Sequence, residues 1–240
     1  MPRMQHGTTP ILRVQHGSTP LTRIQHGSTV VWTAAPPIGD DFERDDGPLG
    51  ANWTDLGPSG DWKLGIEDGR ARVLIPDGVL GGFWTGRESI ARYNAAQAPA
   101  NDCFVEARMA TKGDAASLTV ASGYYSSLLG RGSNTGGTGG DGVGFTAMGG
   151  QCRIVTRIGG TMQSRAEGGS FQPGDIIRVT SVGFLHTIFV NGTDTNVWND
   201  AGHVVPTDAS HRSLIMRGVG AKDLLGPRRF SPAFDYVKMG

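Results

Sequence analysis

Few residues in this sequence have a type and spacing that could do chemistry, and they point in three directions. His6, His16 and His26 recur ten residues apart. A three-fold assembly could bring like imidazoles together around a metal. No cysteine or carboxylate stands beside them, so local hydrogen bonding at a turn is the simpler role, and neither a metal nor another cofactor is expected. The glutamates Glu43, Glu67, Glu88, Glu106 and Glu167 are isolated from one another. A retaining glycosidase needs two carboxyl groups about 5–5.5 Å apart across a cleft. Glu106 lies in an alternating segment with Arg108 two residues on, which reads as a surface ion pair. No Gly-x-Ser-x-Gly elbow is present. Gly142-Val143-Gly144 lacks the Lys-Ser/Thr ending and the helix of a phosphate loop. The expectation is therefore that the chain is not an enzyme. The third direction is sugar binding, which stacks exposed aromatic rings beside amide hydrogen-bonders. Trp84, Tyr124, Tyr125, Trp198 and Asn199, with Tyr93, are the candidates, although each ring also suits a core or rim.

The elements that must position these residues are strands. Of 240 residues 38 are glycine, roughly double the usual ~7% share, with no collagen-like period. Lys and Arg together number 22, as do Asp and Glu, so nothing advertises a nucleic-acid or membrane partner. The beginning of the sequence lacks the apolar stretch of a signal peptide, so classical secretion is not expected. Cys103 and Cys152 each fall in a strand-like segment and read as buried thiols, with a disulfide left open. Strand patterns occur at 71–75, 103–109, 117–122, 143–148, 151–158, 176–182, 185–190, 214–219 and 234–239. Gly149-Gly150 and Asn191-Gly192 are two-residue hairpin signals. Residues 88–97 are the one helix candidate, without a clear apolar stripe. Residues 130–142 form a long Gly/Ser/Thr/Asn loop, a composition found in functional or mobile segments.

Residues 3–32 contain three ten-residue units in register: Arg, an apolar residue, Gln-His-Gly, Ser or Thr, Thr, Pro or Val, then further apolar positions. Gly in every unit and Pro in two of them oppose a helix, and extended segments broken at His-Gly fit better. One reading makes the units local hairpins. The other makes them a tether of three equivalent docking peptides. In the tether reading Met4, Val14, Ile24, Ile11, Leu21 and Val31 are apolar plugs, Arg3, Arg13 and Arg23 position each unit, and His6, His16 and His26 bond at its turn. A small, Pro-containing linker follows at 36–39, and the body begins at residue 40.

The stretch Asp41-Phe-Glu-Arg-Asp-Asp-Gly-Pro-Leu-Gly-Ala-Asn-Trp53 resembles the opening of concanavalin-like (laminin-G/glucanase-like) jelly-roll domains found in tail proteins of phages that infect actinobacteria. The segment from Gly174-Asp175 to Val190-Asn191-Gly192 is similar to a hairpin of the same fold. Phe234-Asp-Tyr-Val-Lys238 resembles its closing strand, which pairs near the opening motif. The resemblance spans about residues 40–240. It implies an all-β, two-sheet antiparallel jelly-roll sandwich, here preceded by an extended repeat arm at 1–35. It also implies a structural protein of the virion, made in the host cytoplasm, as a minor tail or capsid-decoration appendage. The partners would be other virion proteins held by the arm, a homo-oligomer with a trimer among its states, and host glycans in the alternative reading. Glucanases of this fold place their carboxylates in a Glu-x-Asp-x-Glu pattern on one strand, which this sequence lacks. Phe42 and Trp53 are expected core anchors, and Asp45 and Asp46 turn caps. Because some relatives bind calcium, Asp45 and Asp46 as calcium ligands are the rival reading.

Overall fold

The computed structural model describes residues 36–57, 62–76, 86–114, 123–134, 140–222 and 227–240, together with the backbone of short strands in the N-terminal segment. The chain divides into two compact units, Met1–Pro37 and Ile38–Gly240.

In the first unit each decapeptide pairs with itself. Strands β1 (Gln5–His6) and β2 (Thr9–Pro10), β3 (Val14–His16) and β4 (Thr19–Leu21), and β5 (Arg23–His26) and β6 (Thr29–Thr33) form three separate antiparallel hairpins. The closing pairs repeat: His6↔Thr9, His16↔Thr19 and His26↔Thr29. The two residues between each pair are Gly followed by Thr or Ser, the Gly-first composition that suits a two-residue hairpin loop. Arg3, Met4, Ile11 and Arg13 lie outside the described residues, and the side chains of the other docking residues do too.

The second unit is a sandwich of two antiparallel sheets. Its strands are β7 (Ile38–Asp40), β8 (Gly47–Pro48), β9 (Trp53–Asp55), β10 (Leu64–Glu67), β11 (Arg70–Val73), β12 (Arg87–Tyr93), β13 (Cys103–Met109), β14 (Ser126–Gly132), β15 (Gly142–Met148), β16 (Gln151–Ile158), β17 (Thr161–Ser170), β18 (Ile176–Val182), β19 (Leu185–Val190), β20 (Thr193–Asn199), β21 (Ser213–Lys222), β22 (Arg228–Phe230) and β23 (Phe234–Met239). One sheet runs β20-β19-β18-β13-β23-β11-β10-β8, with β7 also on β23. The other runs β17-β16-β15-β14-β21-β12-β9, with β22 also on β21. Leu128, Phe145, Ile154, Leu214 and Met216 of the eight-stranded sheet share one buried core with Ile66, Val105, Ala107, Ile177 and Val237 of the nine-stranded sheet. Burying these faces is the main term holding the layers together.

The opening segment behaves as its large side chains dictate. Phe42 and Trp53 are buried and their rings stack at 6.3 Å. Asp40 sits between them and solvent. Its carboxylate accepts from the Phe42 backbone at 3.0 Å, the Arg44 guanidinium at 2.6 Å and Trp53 Nε1 at 2.7 Å. Burial alone would push this carboxyl up, but the bonds from Arg44 and Trp53 outweigh it and hold the group below its ordinary range. Asp46 Oδ1 accepts the Asp68 backbone N–H at 2.8 Å, a turn role. Cys103 and Cys152 are buried free thiols, pushed by burial to about 11 and about 12, which makes them unreactive.

Several expectations need correction. Residues 88–97 are no helix: β12 occupies 87–93, and both of its faces are covered at Ile90 and Ala91, which blurs the two-residue period. The linker at 36–39 ends at Pro37, because Ile38–Asp40 pairs with β23 through Met239↔Ile38 and Val237↔Asp40. Strands β17 and β20 were not expected at all. Both end their sheets, so their polar sequences need no apolar face. The segment 117–122 lies outside the described residues. Asn191-Gly192 does turn as its chemistry requires, with φ of 51° and 79°.

Candidate functional site

Side-chain alternation along the eight-stranded sheet exposes a second face. On β21, Leu214 and Met216 join the inter-sheet core, so Ile215, Arg217 and Val219 face away from it. Ile90, Leu129, Val155 and Ile215 form a separate buried cluster on that outer face, with Leu56 and Met162 packed against it. The segment entering β15 lies on the same cluster: a Cβ on Gly140 would fall 2.7 Å from Ile215 and 2.9 Å from Ile90. The sheet must curl here. Arg217 Nη1 lies 3.6 Å from Met162 Sδ, yet β21 and β17 are four strand positions apart. On a flat sheet that separation would be about 19 Å, beyond the reach of the two side chains. The face is therefore concave, with its apolar end roofed by Met162 and Leu56.

Beside the apolar cluster runs a polar row. Cross-strand partners place Arg217 next to Ser127, Ser127 next to Thr146, Thr146 next to Arg153, and Arg153 next to Glu167. Ser127 Oγ donates to Thr146 Oγ1 at 3.1 Å. Arg153 Nε lies 3.6 Å from Glu167. Arg217 is 2% exposed. Its Nη2 bonds Glu88 Oε1, which also accepts Tyr125 O–H at 2.7 Å. The Arg217 guanidinium lies 5.8 Å from the Tyr125 ring centroid. Burial pushes the Tyr125 hydroxyl up to about 12 and Arg217 below the ordinary arginine range, the latter offset in part by Glu88. Arg217 Nε is shielded from water with no hydrogen-bond acceptor. The exposed part of this row presents the Thr146 hydroxyl, the Arg153 guanidinium and the Glu167 carboxylate together, above the buried Ser127 and Arg217. That combination hydrogen-bonds a polyhydroxylated ligand.

Among the described residues the sequence candidates for sugar binding are not brought together. Tyr125 lies on the curled face. Tyr124 is corrected: it is fully buried with Val219 and Ala221, and offers no exposed ring. Trp198 and Asn199 end β20, on the far edge of the other sheet. The Trp198 ring stacks on His186 at 5.0 Å and has the Arg165 guanidinium 4.8 Å from its centroid, so it is no free platform. Trp84 lies outside the described residues. Glu106 is also corrected. Its direct cross-strand neighbour is Arg178, whose Nε donates to it at 2.7 Å, while Tyr236 O–H donates at 3.0 Å. Arg108 turns instead to Asp235, at 3.9 Å. Glu106 is thus closed off in a structural network. The pairing of Glu88 with Arg217 is not legible in the composition. The available signal was an arginine inside the apolar run Leu214-Ile-Met-Arg-Gly-Val219, where a buried charge demands a partner. Among the described residues no cluster of three or more His, Cys, Asp or Glu is placed to hold a metal.

No family model matches the sequence, and no curated protein matches it significantly. Solved structures do match in fold. An endo-1,3-β-glucanase from Streptomyces sioyaensis superposes with a TM-score of 0.53 at 15% identity, over 87% of this chain and 98% of its own. A β-1,3-1,4-glucanase (lichenase) from a mouse hindgut metagenome gives 0.50 at 14% identity, over 85% and 98%. A carbohydrate-binding module from Bacillus subtilis gives 0.46 at 12% identity, over 76% and 93%. The two-sheet antiparallel sandwich shares the jelly-roll fold of these glucanases. These matches overturn the expectation of a chain that is not an enzyme: this is a fold on which endo-glucanases are built. The phage assignment gains no support from them.

Proposed function

We propose that the sandwich binds a polysaccharide along the curled face of its eight-stranded sheet. The supporting observation is the polar row Arg217, Ser127, Thr146 and Arg153 on four adjacent strands, beside the Glu88–Tyr125 pair. Fold likeness to proteins named as acting on β-glucans favours the same ligand class. Affinity electrophoresis of the full chain through laminarin, mixed-linkage β-glucan and polygalacturonate tests it. At least one polysaccharide should retard the protein. Arg153→Ala, a half-exposed position, should weaken that binding about tenfold, and Arg178→Ala on the opposite sheet should not. Free migration in all three gels, or loss with Arg178→Ala alone, contradicts the reading. Release of new reducing ends in the same incubations measures cleavage.

The three hairpins support a separate proposal, attachment of the chain to a larger assembly through a repeated, weakly binding unit. Virion location is one form of this reading, and it rests only on the resemblance of the body. Because 1–37 forms a unit of its own, deleting it should change the unfolding free energy of the sandwich by less than about 0.5 kcal/mol. Urea denaturation checks this, and a loss above about 2 kcal/mol would show the arm to be part of the sandwich.

A further inference from the structure

Among the described residues the charges on the curled face do not balance. Glu88 is paired with Arg217, Asp141 with Arg157 at 2.8 Å, and Glu167 with Arg153. A fourth arginine, Arg92 on β12, has no carboxylate within ion-pair distance among the described residues. Its Nη1 is shielded from water with no hydrogen-bond acceptor. Arg217, one strand away and almost wholly buried, has another such atom, Nε. The register pairs Ile90 with Arg217 and Arg92 with Ile215. The two arginines are therefore diagonal neighbours on one face, with Cα atoms roughly 7–8 Å apart, a span that long side chains close.

A buried donor without an acceptor costs about 1–3 kcal/mol, more for a charged group. Two on adjacent strands, on the same face, mark a place where an acceptor belongs. Neutral hydroxyls can accept a hydrogen bond but cannot neutralise a guanidinium. A carboxylate does both, and its two oxygens match the planar fork of arginine.

We infer that the polysaccharide bound here is acidic, a chain of uronic-acid units whose carboxylate is held by Arg92 and Arg217. The inference rests on the glycan reading of the curled face. It adds a substrate class that the glucanase likeness does not supply. Thr146, partly exposed in the same row, is placed to bond a hydroxyl of the adjoining unit, with the fully buried Ser127 donating to it from below.

Binding of the full chain to polygalacturonate, laminarin and dextran sulfate, measured at low and at high NaCl, tests this without any variant. The inference predicts that polygalacturonate binds at least tenfold more tightly than laminarin, with an affinity that falls as salt rises. Arg92→Gln should then reduce polygalacturonate affinity at least tenfold, while Arg178→Gln on the other sheet leaves it unchanged. Equal affinity for laminarin and polygalacturonate overturns the acidic ligand and leaves the glycan reading standing. Preference for dextran sulfate overturns the carboxylate in favour of a sulfated sugar. No binding to any of the three overturns both readings.

Discussion

Acidifying the protein from about pH 7 to about pH 4 will lower the stability of the sandwich by about 3 kcal/mol through one side chain, His186. The ring is fully buried. Its Nδ1 shares a hydrogen bond with Ser181 Oγ at 2.8 Å, and one face stacks on Trp198. Its Nε2 is buried with no hydrogen-bond partner. Burial first, and then the positive charge of Arg131, hold the imidazole down to about 4 from an ordinary 6.5, against a smaller opposing pull from Asp200. The unfolded chain takes a proton near pH 6.5 and the folded chain does not. Stability is therefore intact above that pH, declines as pH falls, and has lost the whole contribution once pH passes below about 4. Asp40, held below the ordinary carboxylate range, keeps its stabilising contribution until pH falls lower still. Urea denaturation at a series of pH values measures the slope. His186→Phe keeps a ring against Trp198 and should flatten it. A wild-type profile that is level from pH 7 to pH 4.5 would contradict the assignment.

Replacing Arg131 with methionine will cost about 3–5 kcal/mol. Arg131 is 1% exposed and among the largest fully buried side chains of the protein. Its guanidinium donates to the carbonyls of Asn101 at 2.9 Å, Gly183 at 2.8 Å and Ser181 at 3.4 Å, and lies 3.6 Å from Asp102. It thus ties the segment before β13 to the β18–β19 turn, where Asp102 also accepts the Gly183 N–H at 2.8 Å. The backbone pays for this placement. Arg131 has a φ of 49°, in the left-handed region, where the register of β14 with β21 shifts. Methionine fills most of the volume but strands the carbonyls without a donor. Removing the charge also lifts the downward pull on His186, so Arg131→Met should shrink the acid-induced loss described above. The two variants are coupled, and their double mutant should not be additive. A loss under about 1 kcal/mol for Arg131→Met, or an unaltered pH slope, would contradict the network.

What the sequence revealed of this fold was what local chemistry decides. Asn191-Gly192 and Gly149-Gly150 specify tight turns, and both turn with positive φ. Phe42 and Trp53 are too large and apolar to stay in water, and both are buried. The decapeptide register shows directly as three identical closing pairs. Strand β12 was misread because both of its faces are covered, and β17 and β20 were missed because as end strands they bury little. The curled face was hidden for a different reason. Glu88 and Arg217 lie 129 residues apart in the chain and meet only because β12 and β21 pair. Aromatic type alone could not separate Tyr125, which borders that face, from its neighbour Tyr124, which is core.

The proposed ligand meets the curled face of the eight-stranded sheet. Side-chain NMR of the arginine Nε–Hε groups reads it directly during titration with an oligogalacturonate. The signals of Arg217 and Arg92 should shift in proportion to saturation, while that of Arg178, on the outer face of the other sheet, stays in place. Shifts at Arg178 with Arg217 and Arg92 unmoved would put the ligand on the wrong side of the sandwich and contradict the claim.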